Sequence, residues 1–67
     1  MGSKELGKNL KKARQKAELT QAEVASKSDI HVNYYARIER GEVNPTVDIL
    51  EAIARALKTK SSEILSF

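Results

Sequence analysis

Apolar residues recur at helical spacing near both ends of the chain. The N-terminal series is Leu6, Leu10, Ala13 and Ala17, separated by four, three and four residues. This spacing predicts an amphipathic helix over about residues 3–17 whose apolar stripe faces a core. Leu19 then follows as a buried connector.

A second amphipathic helix is predicted after a polar loop in the C-terminal half. Thr46 is suited to its N-cap, and Asp48 in the first turn suits the positive end of a helix. The predicted core stripe consists of Val47, Leu50, Ile53, Ala54 and Leu57. Ile49 lies off this stripe. Further on, Ser61 can cap a short last helix that carries the remaining apolar residues, which are Ile64, Leu65 and Phe67.

The stretch between these helices, residues 20–41, has the signals of two short helices joined by a tight turn. The Thr20 hydroxyl can cap the first of them while Glu23 reaches back to the Thr20 amide, which is a capping box. Asp29 tolerates a left-handed conformation, so the first helix is expected to end near it. The second helix is predicted over Val32–Arg40, and Gly41 ends it.

The inner and outer faces of this second helix follow from its period. Tyr35 and Ile38 are expected to join Ile30 on the core side. The residues expected to point outward are Val32, Asn33, Ala36, Arg37 and Arg40. No strand pattern, repeat or low-complexity tract is present, so the chain is predicted to be all-α, a compact five-helix bundle forming a single domain over 1–67.

Composition excludes several classes of protein. With no cysteine and a single histidine, His31, there is no thiolate metal site, no disulfide and no second ligand of metal-binding spacing. No glycine-rich phosphate loop or paired acidic motif appears, so we expect neither an enzyme nor a cofactor or small-molecule ligand. No apolar run approaches the roughly 18 residues of a membrane span, and no signal peptide opens the chain. These features predict a soluble, cytoplasmic protein that does not bind membranes.

The net charge of +3 is distributed unevenly. Residues 1–16 hold six cations and one acid, residues 17–43 hold three cations and five acids, and the remainder is balanced. The positive first helix fits a polyanionic partner, although a lysine-rich helix face is usually only a solvated surface.

The central residues resemble the helix-turn-helix domain of phage repressor and Cro-like transcriptional regulators. The similarity rests on the run T-Q-x-x-V-A from Thr20, the apolar turn residue Ile30, Tyr35, I-E-R-G at Ile38–Gly41 and N-P-T at Asn44–Thr46. It covers roughly residues 6–65 and is greatest to short stand-alone regulators such as the controller proteins of restriction-modification systems. Glu18 and Lys58 depart from the pattern, since that family usually has glycine at both helix ends.

The resemblance implies roles for individual residues on double-stranded DNA. Val32, Asn33 and Arg37 match base-reading positions: Asn33 can pair with adenine, Arg37 with guanine, and Val32 can touch a thymine methyl group. The positions that match backbone-phosphate contacts are Gln21, Tyr34, Arg40 and Asn44. Arg14 and Glu39 hold the places of an internal ion pair. His31, at the start of the recognition helix, is either an exposed polar residue or cap, or a phosphate or base contact.

The C-terminal region, about residues 46–67, is expected to form a homodimer that reads a palindromic operator. The candidate interface residues are Ile49, Ile64, Leu65 and Phe67, apolar groups that a small core cannot all absorb. The sequence thus predicts a bacterial or phage transcriptional repressor or controller. One alternative is a protein-interaction module of the same fold, either antitoxin-like or coactivator-bridging, which the acids Asp29, Glu39 and Glu42 would suit. An RNA-binding domain is less well supported, because the sequence lacks an aromatic stacking platform.

Overall fold

The computed structural model describes residues 3–58, and four α-helices lie in that range. They are α1 (Ser3–Lys16), α2 (Gln21–Lys27), α3 (Val32–Arg40) and α4 (Val47–Leu57). No strand occurs between residues 3 and 58, so the all-helical class is confirmed, with four helices rather than five. The predicted fifth helix, together with Ile64, Leu65 and Phe67, lies outside the described residues.

The helix ends in the central stretch are fixed by local hydrogen bonds. The Glu23 backbone N–H donates to the Thr20 hydroxyl at 3.1 Å, and the Thr20 N–H donates to the Glu23 carboxylate at 2.9 Å. The predicted capping box is therefore confirmed. Asp29, with φ of 59°, makes the left-handed turn after α2. The predicted bounds of α3 are also confirmed, because Gly41 ends it with φ of 78°.

Two other helices end on residues that are poorly suited to a left-handed backbone. Glu18, just after α1, has φ of 60°, and Lys58, the C-cap of α4, has φ of 56°. Both turns therefore keep the left-handed geometry that glycine would favour, at a cost of roughly 1 kcal/mol each because Cβ crowds the following carbonyl.

Helix α3 packs against two other helices. It contacts both α1 and α2, and α2 in turn contacts α4. The largest fully buried side chains come from all four helices and are Leu10, Val24, Tyr35, Ile38 and Ile53. All four helices therefore contribute to one core. Helix α3 packs one of its faces into this core, and its other face is left for other contacts.

Gly7 allows α1 to approach α3 closely. A Cβ atom at this position would overlap the backbone carbonyl oxygens of Ile38 and Glu39. Any side chain larger than hydrogen would therefore push the two helices apart. This packing contact was not predicted from the sequence.

The structure differs from the predicted apolar stripes at three positions, which are Val47, Ile49 and Ala17. Val47, assigned to the core, is 67% exposed, whereas Ile49, placed off the stripe, is half-buried and packs against the core. Val47 opens the first turn of α4, before that helix packs on its neighbours. Ala17 is exposed because α1 ends one residue earlier than predicted and Ala17 lies in the turn that follows.

Among residues 3–58, no helix is long and apolar enough to cross a membrane.

Candidate nucleic-acid interface

Helix α3 has one buried and one exposed face. Tyr35 and Ile38 are completely buried, while Asn33, Arg37 and Arg40 are exposed. The 3.6-residue period of the helix separates the two sets, since positions three or four residues apart fall on the same side. The structure thus brings the three predicted polar contact residues together on the outer surface of one nine-residue helix.

The N-terminal end of α3 is capped by His31. Its Nδ1 accepts a hydrogen bond of 3.0 Å from the Asn33 backbone N–H, and its backbone is extended with φ of −71° and ψ of 141°. The interpretation of His31 as a cap is therefore confirmed. Because Nδ1 is used in this bond, Nε2 is the ring nitrogen that remains for a contact with a phosphate or base.

Val32 and Tyr34 are less exposed than an outer-face position requires. Both are half-buried and pack against the core. For Val32 this partly corrects the prediction that it points outward, because its position in the first turn brings it over the apolar residues beneath α3. A contact between Val32 and a thymine methyl group would involve only the exposed part of the side chain.

An ion pair joins α1 to α3 at the buried side of this interface. Arg14 Nε and Nη2 donate to the two Glu39 carboxylate oxygens at 2.7 and 3.2 Å, and Arg14 Nη1 donates to the Leu19 carbonyl at 3.0 Å. The Arg14 and Glu39 side chains are 14% and 3% exposed. The predicted internal pair is present, so the Arg14 guanidinium is occupied within the protein.

Gln21 is a third member of this cluster. Its Nε2 donates to Glu39 Oε1 at 3.0 Å, which ties the start of α2 to α3. The sequence interpretation placed Gln21 at a phosphate contact and did not foresee this bond. Its side-chain N–H group is therefore engaged inside the protein, which limits what Gln21 can offer to a phosphate.

The cluster shifts the titration of its members. Burial raises the pKa of Glu39, but the polar groups of Arg14, Tyr35 and Gln21 outweigh burial and leave its pKa below the ordinary value. The hydrogen bond to Glu39 raises the pKa of Arg14. Burial, followed by the nearby Glu39 carboxylate, raises the pKa of Tyr35 well above its ordinary value. The buried Tyr35 hydroxyl has no hydrogen-bond partner of standard geometry within residues 3–58.

Beyond α3, the chain turns back along the helix. The Gly41 N–H donates to the Ile38 carbonyl at 3.0 Å and the Glu42 N–H donates to the Arg37 carbonyl at 2.9 Å, which together form a Schellman motif. Further along this loop, Asn44 accepts a hydrogen bond from the Ser3 hydroxyl. Asn44 is exposed beside the start of α1, and the loop therefore lies next to the first helix.

Glu42 pairs with both exposed arginines of α3. Arg40 Nε lies 2.5 Å from Glu42 Oε2, and Arg37 Nε lies 3.5 Å from Glu42 Oε1. The hydrogen bond from Arg40 lowers the pKa of Glu42, so this carboxylate is charged at neutral pH. The sequence indicated only that an acid lies near α3. The Schellman motif that follows Arg37 is the signal that could have placed it against the arginines.

Within residues 3–58, no group of three or more histidine, cysteine, aspartate or glutamate side chains is placed to hold a metal ion.

Two short helices joined by a left-handed turn, the second with a buried and an exposed face, define a helix-turn-helix domain. The helix-turn-helix family matches residues 10–64 of the chain. The chain belongs to this family.

Curated relatives include regulators from a phage and from bacteria. The chain is 38% identical over 60 residues to the immunity repressor protein of Bacillus phage phi105, covering 90% of the chain and 42% of that repressor. It is 35% identical over 52 residues to the control protein C.BamHI of Bacillus amyloliquefaciens, covering 78% of the chain and 64% of that protein. The chain thus spans about two fifths of the phage repressor's length.

Solved structures of similar fold include other controller proteins. The restriction-modification controller protein C.AhdI from Aeromonas hydrophila superposes with a TM-score of 0.90 at 26% identity, covering 92% of this chain and 94% of that one. The wild-type controller protein C.Esp1396I gives a TM-score of 0.86 at 28% identity, covering 96% and 82%. These comparisons confirm the resemblance stated above. The chain therefore shares the helix-turn-helix fold of these repressor and controller proteins.

Proposed function

We propose that the chain binds specific double-stranded DNA as a homodimer and regulates transcription from a palindromic operator. In this proposal α3 enters the major groove, and the protein acts in the cytoplasm of a bacterium, as its bacterial and phage relatives suggest. The observation that carries the proposal is the two-sided α3, which is fully buried at Tyr35 and Ile38 and exposes Asn33 and Arg37.

Dimensions and chemistry both fit this arrangement. Nine helical residues extend for about 13 Å, and the major groove is roughly 12 Å wide. Asn33 is placed to make paired hydrogen bonds to adenine, and Arg37 to guanine O6 and N7. Arg40 and Asn44, both exposed on the C-terminal side of α3, are further proposed phosphate contacts, and a phosphate would have to compete with Glu42 for Arg40.

The remaining contact residues have smaller proposed roles. Tyr34 and Gln21 are half-buried, and the Gln21 side-chain N–H group donates to Glu39, so each offers only part of its side chain to the DNA backbone. His31 offers Nε2, and Val32 offers the exposed part of its side chain. We expect these four to position the protein more than they specify the sequence that it reads.

DNA binding can be tested against the alternative, a protein-interaction module, with one titration. Affinity for mixed genomic duplex fragments is measured by fluorescence anisotropy across a salt series. A DNA-binding protein should lose affinity steeply as salt rises, since each phosphate contact releases counterions. Binding that is absent, or that does not respond to salt, would contradict the proposal and favour the alternative. Selection of bound sites from random duplexes then identifies the operator.

The dimer proposal rests on α4 in the described part of the chain. Val47 is 67% exposed there, while Ile49, which we first expected at the interface, is half-buried against the protein's own core. Ile49 can therefore contribute only its outer edge. Two copies related by a dyad would place two α3 helices about one DNA turn, roughly 34 Å, apart.

Sedimentation tests this part of the proposal. The parent should be dimeric at micromolar concentration, and a Val47→Glu, Phe67→Glu double variant should be monomeric but folded by circular dichroism. Lys11→Glu, a charge reversal on the exposed face of α1, is the control and should remain dimeric. A parent that sediments as a monomer would refute the homodimer.

A further inference from the structure

Glu42 links the two exposed arginines of α3 through one carboxylate. Its two oxygens lie 2.5 Å from Arg40 Nε and 3.5 Å from Arg37 Nε. All three side chains are about half exposed, so solvent and other ligands can reach them. A partner that binds either guanidinium must compete with the same carboxylate.

The backbone holds Glu42 in this position. The Glu42 N–H donates to the Arg37 carbonyl at 2.9 Å, in the Schellman motif that the left-handed Gly41 makes possible. The carboxylate is therefore returned to the outer face of α3 by the main chain and not only by the choice of side-chain rotamer. This places a negative charge within the surface that we propose meets DNA.

The net charge of Arg37, Arg40 and Glu42 together affects how strongly this surface attracts DNA. Two arginines and one glutamate carry a net charge of +1 instead of +2, which weakens attraction to any phosphate backbone. A guanine edge offers Arg37 two acceptors in a fixed plane, so it can replace the Glu42 carboxylate. Random DNA offers mainly phosphates, and these are repelled by the same carboxylate. A carboxylate that weakens binding to random DNA more than binding to the operator raises specificity, which is the ratio of the two affinities.

We propose that Glu42 is a specificity-determining residue that restrains Arg37 and Arg40 and so suppresses binding to random DNA. This inference rests on the proposed function, since it presumes that α3 contacts DNA. It adds a role for a residue that itself makes no contact with a base.

The test compares Glu42→Gln with Glu51→Gln, which removes an exposed acid from α4. No ion pair involves Glu51 within residues 3–58, so it controls for the change in net charge alone. Each variant is titrated with the selected operator and with a random duplex across a salt series. Glu42→Gln should bind the random duplex about 10-fold more tightly and the operator only about 2-fold more tightly, so specificity falls about 5-fold. Its salt slope should steepen by about one per protomer.

A double-mutant cycle that combines Glu42→Gln with Arg37→Ala shows whether Glu42 acts through that arginine. In the Arg37→Ala background, Glu42→Gln should no longer lower the ratio of operator to random affinity. The inference would be overturned if Glu42→Gln lowered this ratio equally in both backgrounds, or if it behaved like Glu51→Gln. In either case, salt-dependent DNA binding by the parent would still support the proposed function. A parent that binds no duplex would instead refute the proposed function.

Discussion

Removing either partner of the Arg14–Glu39 pair should severely destabilise the domain. The Glu39 side chain is 3% exposed in the parent, and Arg14→Ala would remove both of its hydrogen bonds from Arg14 while the bond from Gln21 stays. Breaking a buried pair in this way typically costs about 3–5 kcal/mol, because a charge is left desolvated without compensation. We expect the lower end, about 3 kcal/mol, since Arg14 is 14% exposed and water can partly replace it.

That loss is large for a chain of 67 residues. A loss of 1 kcal/mol lowers the melting temperature of such a domain by about 4–8 °C, so Arg14→Ala should melt roughly 12–24 °C below the parent. The assay is urea and thermal unfolding followed by circular dichroism. Lys11→Ala, on the exposed face of α1, is the matched control and should change stability by less than about 0.5 kcal/mol.

The double variant Arg14→Met, Glu39→Leu separates the value of the pair from the cost of an orphaned charge. Replacing both partners by apolar groups should recover most of the stability lost in Arg14→Ala, since no unpaired charge remains. Single variants that each lose less than 1 kcal/mol, or losses that simply add in the double variant, would refute the reasoning.

The Arg14–Glu39 pair should also make the stability of the domain depend on pH in the acidic range. The pKa of Glu39 is lower in the folded chain than its ordinary value. Its contribution to stability is therefore complete above the unfolded pKa of about 4.3 and is lost as the pH falls through the lower folded pKa. Urea unfolding at pH 7, 5, 4 and 3 should show a smaller acid-dependent loss in Glu39→Gln than in the parent. Parallel curves for the two proteins would contradict this assignment.

Four further substitutions test the interface and the scaffold. Arg37→Ala should weaken operator binding by about 1–3 kcal/mol in anisotropy titrations and barely change binding to random duplex. Glu18→Gly should raise the free energy of unfolding by about 1 kcal/mol in urea titrations, because φ at this position is 60°. Ile53→Ala, at a fully buried site, should cost about 2–5 kcal/mol in the same assay. Gly7→Ala should cost about 1–3 kcal/mol, because its Cβ would overlap the carbonyl oxygens of α3.

Each of these four predictions has a control variant or a result that would contradict it. Equal losses on operator and random DNA would remove Arg37 from base reading. Lys16→Gly, two residues earlier at the last helical position of α1, should lose about 1 kcal/mol, so a gain at Glu18 cannot be attributed to glycine in general. Melting curves for Ile53→Ala or Gly7→Ala that match the parent would show that the packing of α4 or of α1 on α3 is misassigned.

The sequence by itself determined the features that depend on neighbouring residues. The Thr20–Glu23 capping box, the left-handed Asp29 and the bounds of α3 all follow from groups at most a few residues apart. Their hydrogen bonds form within one helical turn, so the local sequence is sufficient to predict them. The separation of Tyr35 and Ile38 from the outer face follows in the same way from the helical period.

The candidate site was predicted as a set of positions but not as a set of contacts. Resemblance placed Arg14 opposite Glu39, and the structure shows that pair at 2.7 Å. Gln21 was assigned to a phosphate, yet its side chain donates to Glu39 across 18 residues of sequence. Periodicity carries no information on which polar side chain of another helix will face a given carboxylate.

Only the tertiary structure decided which apolar residues of α4 are covered. Val47 and Ile49 both open that helix, and a period of 3.6 residues fits a stripe through either of them. Burial depends on where the neighbouring helices lie, and these cover part of Ile49 and leave Val47 exposed. The close approach at Gly7 was set in the same way, because it arises from packing between α1 and α3 that the linear pattern does not specify.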